Sequence, residues 1–126
     1  MTENATTLYR PVGQAELDLI AAAGWTAFPP RLAHQPIFYP VLAEEYAVQI
    51  ARDWNTRDAA SQNVGYVTRF RVDSGYLARF AVETVGSRAH RELWVPAEEL
   101  DELNRHIVGR IEVIAEFRPG DGAAER

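Results

Sequence analysis

The sequence predicts one α+β domain with a mixed, mainly antiparallel sheet, and three observations support this prediction. Its 126 residues are close to the commonest size of a single domain. Two segments in the N-terminal half, 14–23 and 42–54, carry apolar residues at helical spacing. Beyond residue 63 the apolar period changes to two, which is typical of strands that bury one face and pair antiparallel.

The N-terminal half predicts strands and helices in alternation, over 8–12, 14–23, 36–39 and 42–54. Pro11 lacks an N–H, so the first strand should lie at a sheet edge or end its pairing there. Gly24 is a suitable stop for the first helix. In the second helix, one apolar face combines residues spaced four apart with two alanines: Leu42, Tyr46, Ile50, Trp54, Ala43 and Ala47. The three tryptophans are predicted to pack in the interior.

The C-terminal half predicts mostly strands, over 66–72, 80–85, 91–95 and 111–117, with one short helix over 97–104. Pro96 suits the start of that helix. In the last strand Ile111, Val113, Ala115 and Phe117 alternate with charged residues, which favours antiparallel pairing. We expect a single domain over 8–117, with loose tails at 1–7 and 118–126.

The composition limits the classes of function. The chain has no cysteine, which excludes disulfides, thiolate catalysis and Cys-ligated zinc. Its net charge is −5, and domains that grip nucleic-acid backbones are usually basic, so nucleic acid is not an expected partner. The sequence shows neither the apolar run of a membrane helix nor the pattern of a signal peptide. We therefore expect a cytoplasmic protein that makes no use of a membrane.

Short motifs for cofactors and catalysis are missing from the sequence. Neither the G-x-G-x-x-G nor the G-x-x-x-x-G-K-[ST] phosphate loop occurs, and there is no G-x-S-x-G elbow. The three histidines, His34, His90 and His106, lack metal-ligand spacing, so no metal site is predicted.

Three short segments, taken in their order along the chain, resemble a known family. They are Leu8-Tyr9-Arg10, then Ile37-Phe38-Tyr39 with the helix around Glu44-Glu45-Tyr46-Ala47, and finally Arg91-Glu92-Leu93-Trp94-Val95-Pro96. This order is similar to that of the ADP-ribosyltransferase superfamily, in its small bacterial-type members, over residues 8–117. In that family the first segment contacts NAD, the second lies close to nicotinamide, and the third bears the catalytic glutamate.

The resemblance implies a fold of that family, NAD as the substrate, and roles for five residues. The activity it implies is ADP-ribosyl transfer to an unknown acceptor, or NAD glycohydrolysis. Glu92 would be the catalytic carboxylate, which stabilises the cationic ribose formed as nicotinamide leaves. Arg10 would bind the diphosphate or the adenosine-side ribose, and Tyr39 would stack on nicotinamide. Arg69 and Arg71, on the polar face of a middle strand, would add positive potential to the cleft.

Two departures from the family pattern bear on the acceptor. Branches that modify arginine have a second glutamate two residues before the catalytic one, and this chain has His90 at that position. The Ser-Thr-Ser motif of those branches is also missing from the middle strands. An arginine acceptor is therefore not expected.

A purely structural interpretation and a second class of function stay open. Glu92 and Arg10 could be strand residues that pair with neighbouring charges, and Tyr39 could be a packing aromatic. Small size and acidic charge also fit a non-enzymatic protein-interaction module, immunity or antitoxin-like, on a degenerate version of the same fold. An enzyme that removes ADP-ribose is less expected, because such enzymes are longer, all-helical and rich in clustered acidic metal ligands.

Overall fold

A computed structural model describes residues 4–85 and 90–119. Its strands are β1 (Ala5–Val12), β2 (Ile37–Phe38), β3 (Gly65–Asp73), β4 (Val82–Thr84), β5 (Arg91–Leu93), β6 (Val95–Pro96) and β7 (Ile107–Phe117). Its α-helices are α1 (Gln14–Ala22), α2 (Glu44–Asp53), α3 (Ser74–Leu77) and α4 (Leu100–Arg105). The strand pairs in this part of the chain are antiparallel, which confirms the predicted α+β class with antiparallel pairing.

The main sheet is built around β3, which lies between β1 and β7. On its other side β1 meets Val41, because Tyr9 and Val41 exchange two backbone hydrogen bonds of 2.9 and 2.8 Å. Val41 in turn pairs with Glu92 of β5, and β5 pairs with β4. The resulting antiparallel order is β4, β5, the segment around Val41, β1, β3 and β7.

The sequence left two positions open for the first strand, a sheet edge or an end of its pairing at Pro11. Strand β1 has a partner on both sides at Tyr9, and its pairing on the Val41 side stops before Pro11. The N–H and C=O of Tyr9 point toward Val41, and in an antiparallel ladder every second residue, here Pro11, faces the same side. Pairing on that side ends after Tyr9, so the missing N–H of Pro11 interrupts no ladder bond. The strand begins at Ala5, three residues before the predicted start at Leu8.

Helix α2 covers one face of the sheet. Acidic residues in its first turn and Arg52 in its last complement the helix dipole. Its fully buried residues, Ala47 and Ala51, pack on Val41 and Val67. The predicted apolar stripe was therefore wrong at its end, since Trp54 is 71% exposed. The small side chains let the helix lie close to the sheet, which positions Tyr46 beside β5.

The opposite face holds the larger part of the core. Phe70 and Val72 of β3 point away from α2, because residues of a strand alternate between faces. They pack with Ile20 of α1, Leu103 of α4 and the fully buried Phe38. Gly24 ends α1 in the left-handed region with a φ of 74°, as the sequence predicts.

Strand β7 departs from the predicted alternation. Its register with β3 shifts between Val67 and Thr68 and again between Arg69 and Arg71. Ile111 is buried, but Val113 is 42% exposed and Ile114 is partly buried. A register shift changes which side chains face inward, so the apolar residues of β7 do not follow one continuous alternation.

No helix in the described ranges is long and apolar enough to cross a lipid bilayer. The predicted C-terminal tail lies outside the described residues beyond position 119.

Candidate functional site

One cavity of about 530 Å³ is lined by Arg10, Tyr39 and Glu92. Its volume is within the usual range for small-molecule sites. The three residues lie on different segments, at β1, just after β2, and on β5. The structure therefore brings together three of the five side chains that the sequence singles out.

Strand register explains how Tyr39 and Glu92 reach the same cavity. Phe38 pairs with Val95, and Val41 pairs with Glu92 at the same offset. By this register Tyr39 lies opposite Trp94, and alternate residues of a strand share a face. Tyr39, Val41, Glu92 and Trp94 accordingly all line the cavity.

The carboxylate of Glu92 is held by two neutral donors. Its side chain is buried, with the residue 9% exposed. The Tyr46 hydroxyl donates to Oε2 at 3.0 Å, and Nε1 of Trp94 donates to Oε1 at 2.8 Å. Glu92 forms no ion pair in the described part of the chain. The purely structural interpretation, in which Glu92 pairs with a neighbouring charge, is therefore not seen there. These two hydrogen bonds fix the orientation of the carboxylate.

Tyr46 supports this arrangement from α2. Its ring stacks on His90, with centroids 4.4 Å apart and planes inclined by 15°. Burial, and then the hydrogen bond to Glu92, raise the pKa of Tyr46 above its usual value. The hydroxyl therefore stays protonated at neutral pH and remains a donor.

Arg10 has a carboxylate partner of its own. Its Nε and Nη2 donate to the two oxygens of Glu16 at 2.7 and 2.9 Å, which is the two-pronged geometry of a strong arginine–carboxylate pair. Its guanidinium also lies 4.6 Å from the centre of the Phe38 ring. The residue is 8% exposed, so most of its charge is balanced within the fold.

Sequence reasoning missed Glu16 as a partner, although a signal was present. An acid in the first turn of a helix that follows directly after a strand is placed close to that strand's end. The prediction that Trp94 packs in the interior was also wrong, since its side chain lines the cavity and is 46% exposed.

Arg31 is a further cavity residue that the sequence did not single out. It lies in the loop before β2, where no periodic pattern marks its direction. Its Nε donates to the backbone oxygen of Ile37 at 3.2 Å. Burial, and then the nearby Arg10, lower the pKa of Arg31 from its usual value, although an arginine remains charged at neutral pH.

Arg69 and Arg71 do not line this cavity, which corrects the expectation that they add to its potential. They line a separate depression of about 380 Å³ with Glu112, and Nη2 of Arg69 lies 3.0 Å from Oε1 of Glu112. The reason is topological, because β1 lies between β3 and the segment that carries Tyr39.

The residues that the structure describes contain no cluster of three acidic or histidine side chains able to hold a metal ion. No protein-family model matches the chain, and no curated protein or solved structure is significantly similar to it.

Proposed function

We propose that this chain binds NAD and breaks its nicotinamide–ribose bond, passing ADP-ribose to an acceptor or to water. One observation carries the proposal. Arg10, Tyr39 and Glu92, which the family resemblance implies as NAD-contacting and catalytic residues, line a single cavity. The three side chains come from β1, from the residue after β2 and from β5, and the fold places them around one cavity.

The chemistry assigns the central role to Glu92. When the bond between C1′ of the ribose and the nicotinamide nitrogen breaks, the electron pair leaves with nicotinamide and positive charge develops on the ribose. A preorganised carboxylate stabilises that charge. Glu92 suits this role because Tyr46 and Trp94 hold it with neutral donors. No cationic side chain among the described residues forms an ion pair with it.

The aromatic wall suits the flat nicotinamide ring. Tyr39 and Trp94 face each other across adjacent strands and are 41% and 46% exposed. Partly exposed aromatic rings offer faces on which a cationic ring can stack. After nicotinamide departs, an oxygen or nitrogen of the acceptor forms the new bond to C1′, and its proton passes to Glu92 or to solvent.

Release of nicotinamide from NAD by wild-type protein and by Glu92→Gln tests the proposal. The variant keeps the size of the side chain and removes its charge, so turnover should fall at least about a hundredfold. Glu112→Gln is the matched control, because Glu112 is an exposed glutamate outside the cavity. Unchanged turnover in Glu92→Gln would refute the assignment.

A second candidate is a non-enzymatic protein-interaction module, and exposed Trp54 is the observation that favours it. This side chain is 71% exposed, and tryptophan is among the residues enriched in the dominant contacts of protein interfaces. Calorimetric titration with NAD separates the two candidates. Saturable binding that Glu92→Gln or Tyr39→Ala changes supports the enzyme, and an absence of binding supports the module.

A further inference from the structure

Two arginines reach the cavity, and they differ in what balances their charge. Arg10 uses Nε and Nη2 on the two oxygens of Glu16. A guanidinium engaged in this way presents a weakened field to a ligand, because the carboxylate would repel an approaching anion. Arg10 is therefore better suited to holding the shape of the cavity than to binding a phosphate.

Arg31 is in the opposite situation. Only its Nε is engaged, on the backbone oxygen of Ile37 at 3.2 Å, and the Arg31 guanidinium lies 5.9 Å from the centre of the Phe38 ring. In the described part of the chain it has no carboxylate partner. Its two Nη groups therefore keep four N–H donors for a ligand.

We infer that Arg31 is the anion-binding residue of this cavity, and that it takes the phosphoryl oxygens of a nucleoside diphosphate group. A planar guanidinium with two unengaged Nη groups matches phosphate oxygens in a two-pronged contact. This inference rests on the proposed function, since NAD carries such a diphosphate, and it moves the phosphate contact from Arg10 to Arg31.

The neighbourhood of Arg31 makes an incoming anion favourable. Burial and the nearby Arg10 both oppose its charge, whereas Glu16 favours it and is already paired with Arg10. A bound phosphate would replace lost hydration and relieve the repulsion between the two guanidinium groups. The cation at Arg31 and the carboxylate at Glu92 line the same cavity, which suits a ligand with a phosphate at one part and a positive ring at another.

The test compares ADP with adenosine, which lacks phosphate, by calorimetric titration at one salt concentration. Wild-type protein should bind ADP more tightly than adenosine. Arg31→Gln should weaken ADP binding by about tenfold to a hundredfold, the effect of losing a charge-assisted contact, and should leave adenosine binding unchanged. Arg31→Lys keeps the charge without the planar fork, so its affinity for ADP should lie between those of wild type and Arg31→Gln.

Arg110→Gln is the matched control, because Arg110 is exposed and lines the separate depression. It changes the net charge equally and should not alter ADP binding. Adenosine serves as the control for folding, since a variant damaged in its structure would lose both ligands. Equal affinities of Arg31→Gln and wild type for ADP would overturn the inference, as would wild-type protein that does not prefer ADP to adenosine.

The outcomes also separate this inference from the proposed function. Binding of ADP that depends on Arg31, together with no release of nicotinamide from NAD, would support the anion site and refute the cleavage reaction. Nicotinamide release that depends on Glu92, together with ADP binding insensitive to Arg31, would support the reaction and refute the anion site.

Discussion

The hydroxyl of Tyr46 donates a hydrogen bond of 3.0 Å to Oε2 of Glu92, although the two residues lie 46 positions apart in the sequence. Tyr46 belongs to α2 and Glu92 to β5, so this bond ties the helix to the strand at the cavity. The other carboxylate oxygen accepts from Trp94. The orientation of Glu92 therefore depends on how closely α2 packs against the sheet.

Tyr46→Phe removes one of these two donors, and we expect it to lower the free energy of unfolding by about 1–3 kcal/mol. The reason is that a buried charged oxygen would lose its partner. Urea unfolding measures the change. Tyr9→Phe is the matched control, since the Tyr9 hydroxyl has no hydrogen-bond partner among the described residues, and its effect should stay within about 0.5 kcal/mol. Equal losses in the two variants would contradict this account.

Close packing of α2 depends on a residue that the sequence alone does not reveal as special. A Cβ on Gly65 of β3 would overlap the carbonyl oxygen of Ala51. Sequence patterning predicted both the helix and the strand, because their apolar periods are clear. It placed Ala47 on the apolar face but not Ala51, because alanines carry a weaker apolar signal than Tyr46 or Trp54. Small residues occupy this contact because the backbones of α2 and β3 approach each other closely.

In the candidate site too, some residues are marked by their own segment of sequence, whereas others are placed only by the tertiary fold. Arg10, Tyr39 and Glu92 could be singled out because each lies in a short segment with a recognisable order. Arg31 could not, because it lies in a loop without a period and reaches the cavity only through the tertiary fold. Arg69 was predicted to contribute to the cavity because it lies on the polar face of a middle strand. That strand is present, but the sequence does not reveal its position in the sheet.

Tyr39→Ala tests the aromatic wall of the cavity. Loss of a stacking partner for a cationic ring costs about 0.5–2 kcal/mol, so the dissociation constant of NAD should rise about twofold to thirtyfold. Tyr39→Phe keeps the ring and should bind NAD nearly as wild type does. Calorimetric titration measures both constants. Since Tyr39 is 41% exposed, neither variant should disturb folding, which circular dichroism checks. Weakening in both variants alike would assign the effect to the hydroxyl and contradict stacking.

The Arg10–Glu16 pair should contribute to stability as a coupled unit. Both side chains are largely buried, at 10% and 21% exposure, and breaking such a pair leaves an unbalanced charge. We expect a coupling free energy of about 2 kcal/mol in a double-mutant cycle that combines Arg10→Met with Glu16→Gln.

The control cycle uses Arg69 and Glu112, whose side chains are 43% and 59% exposed. Water screens a pair of this kind, so its coupling should be below about 1 kcal/mol. Urea unfolding of the four proteins in each cycle gives both values. Coupling of similar size in the two cycles would show that burial does not strengthen the Arg10–Glu16 pair.

Tyr76 should make stability fall at alkaline pH. Its hydroxyl donates to Oε1 of Glu99 at 3.2 Å. Burial, and then this hydrogen bond, raise the pKa of Tyr76 from 10.0 to about 12. The folded state therefore favours the protonated tyrosine, so the contribution is complete below pH 10 and is lost as the pH rises to about 12. We expect a loss of about 2 kcal/mol over that window.

Tyr76→Phe isolates this effect, because the other tyrosines titrate in both proteins and cancel in the difference. Urea unfolding at intervals between pH 9 and about pH 12 should show a steeper fall for wild type than for the variant. The variant loses the hydrogen bond to Glu99 and should be less stable at neutral pH, so the two curves should converge as the pH rises. Curves that stay parallel would mean that the folded protein does not hold the Tyr76 proton more tightly than the unfolded chain does.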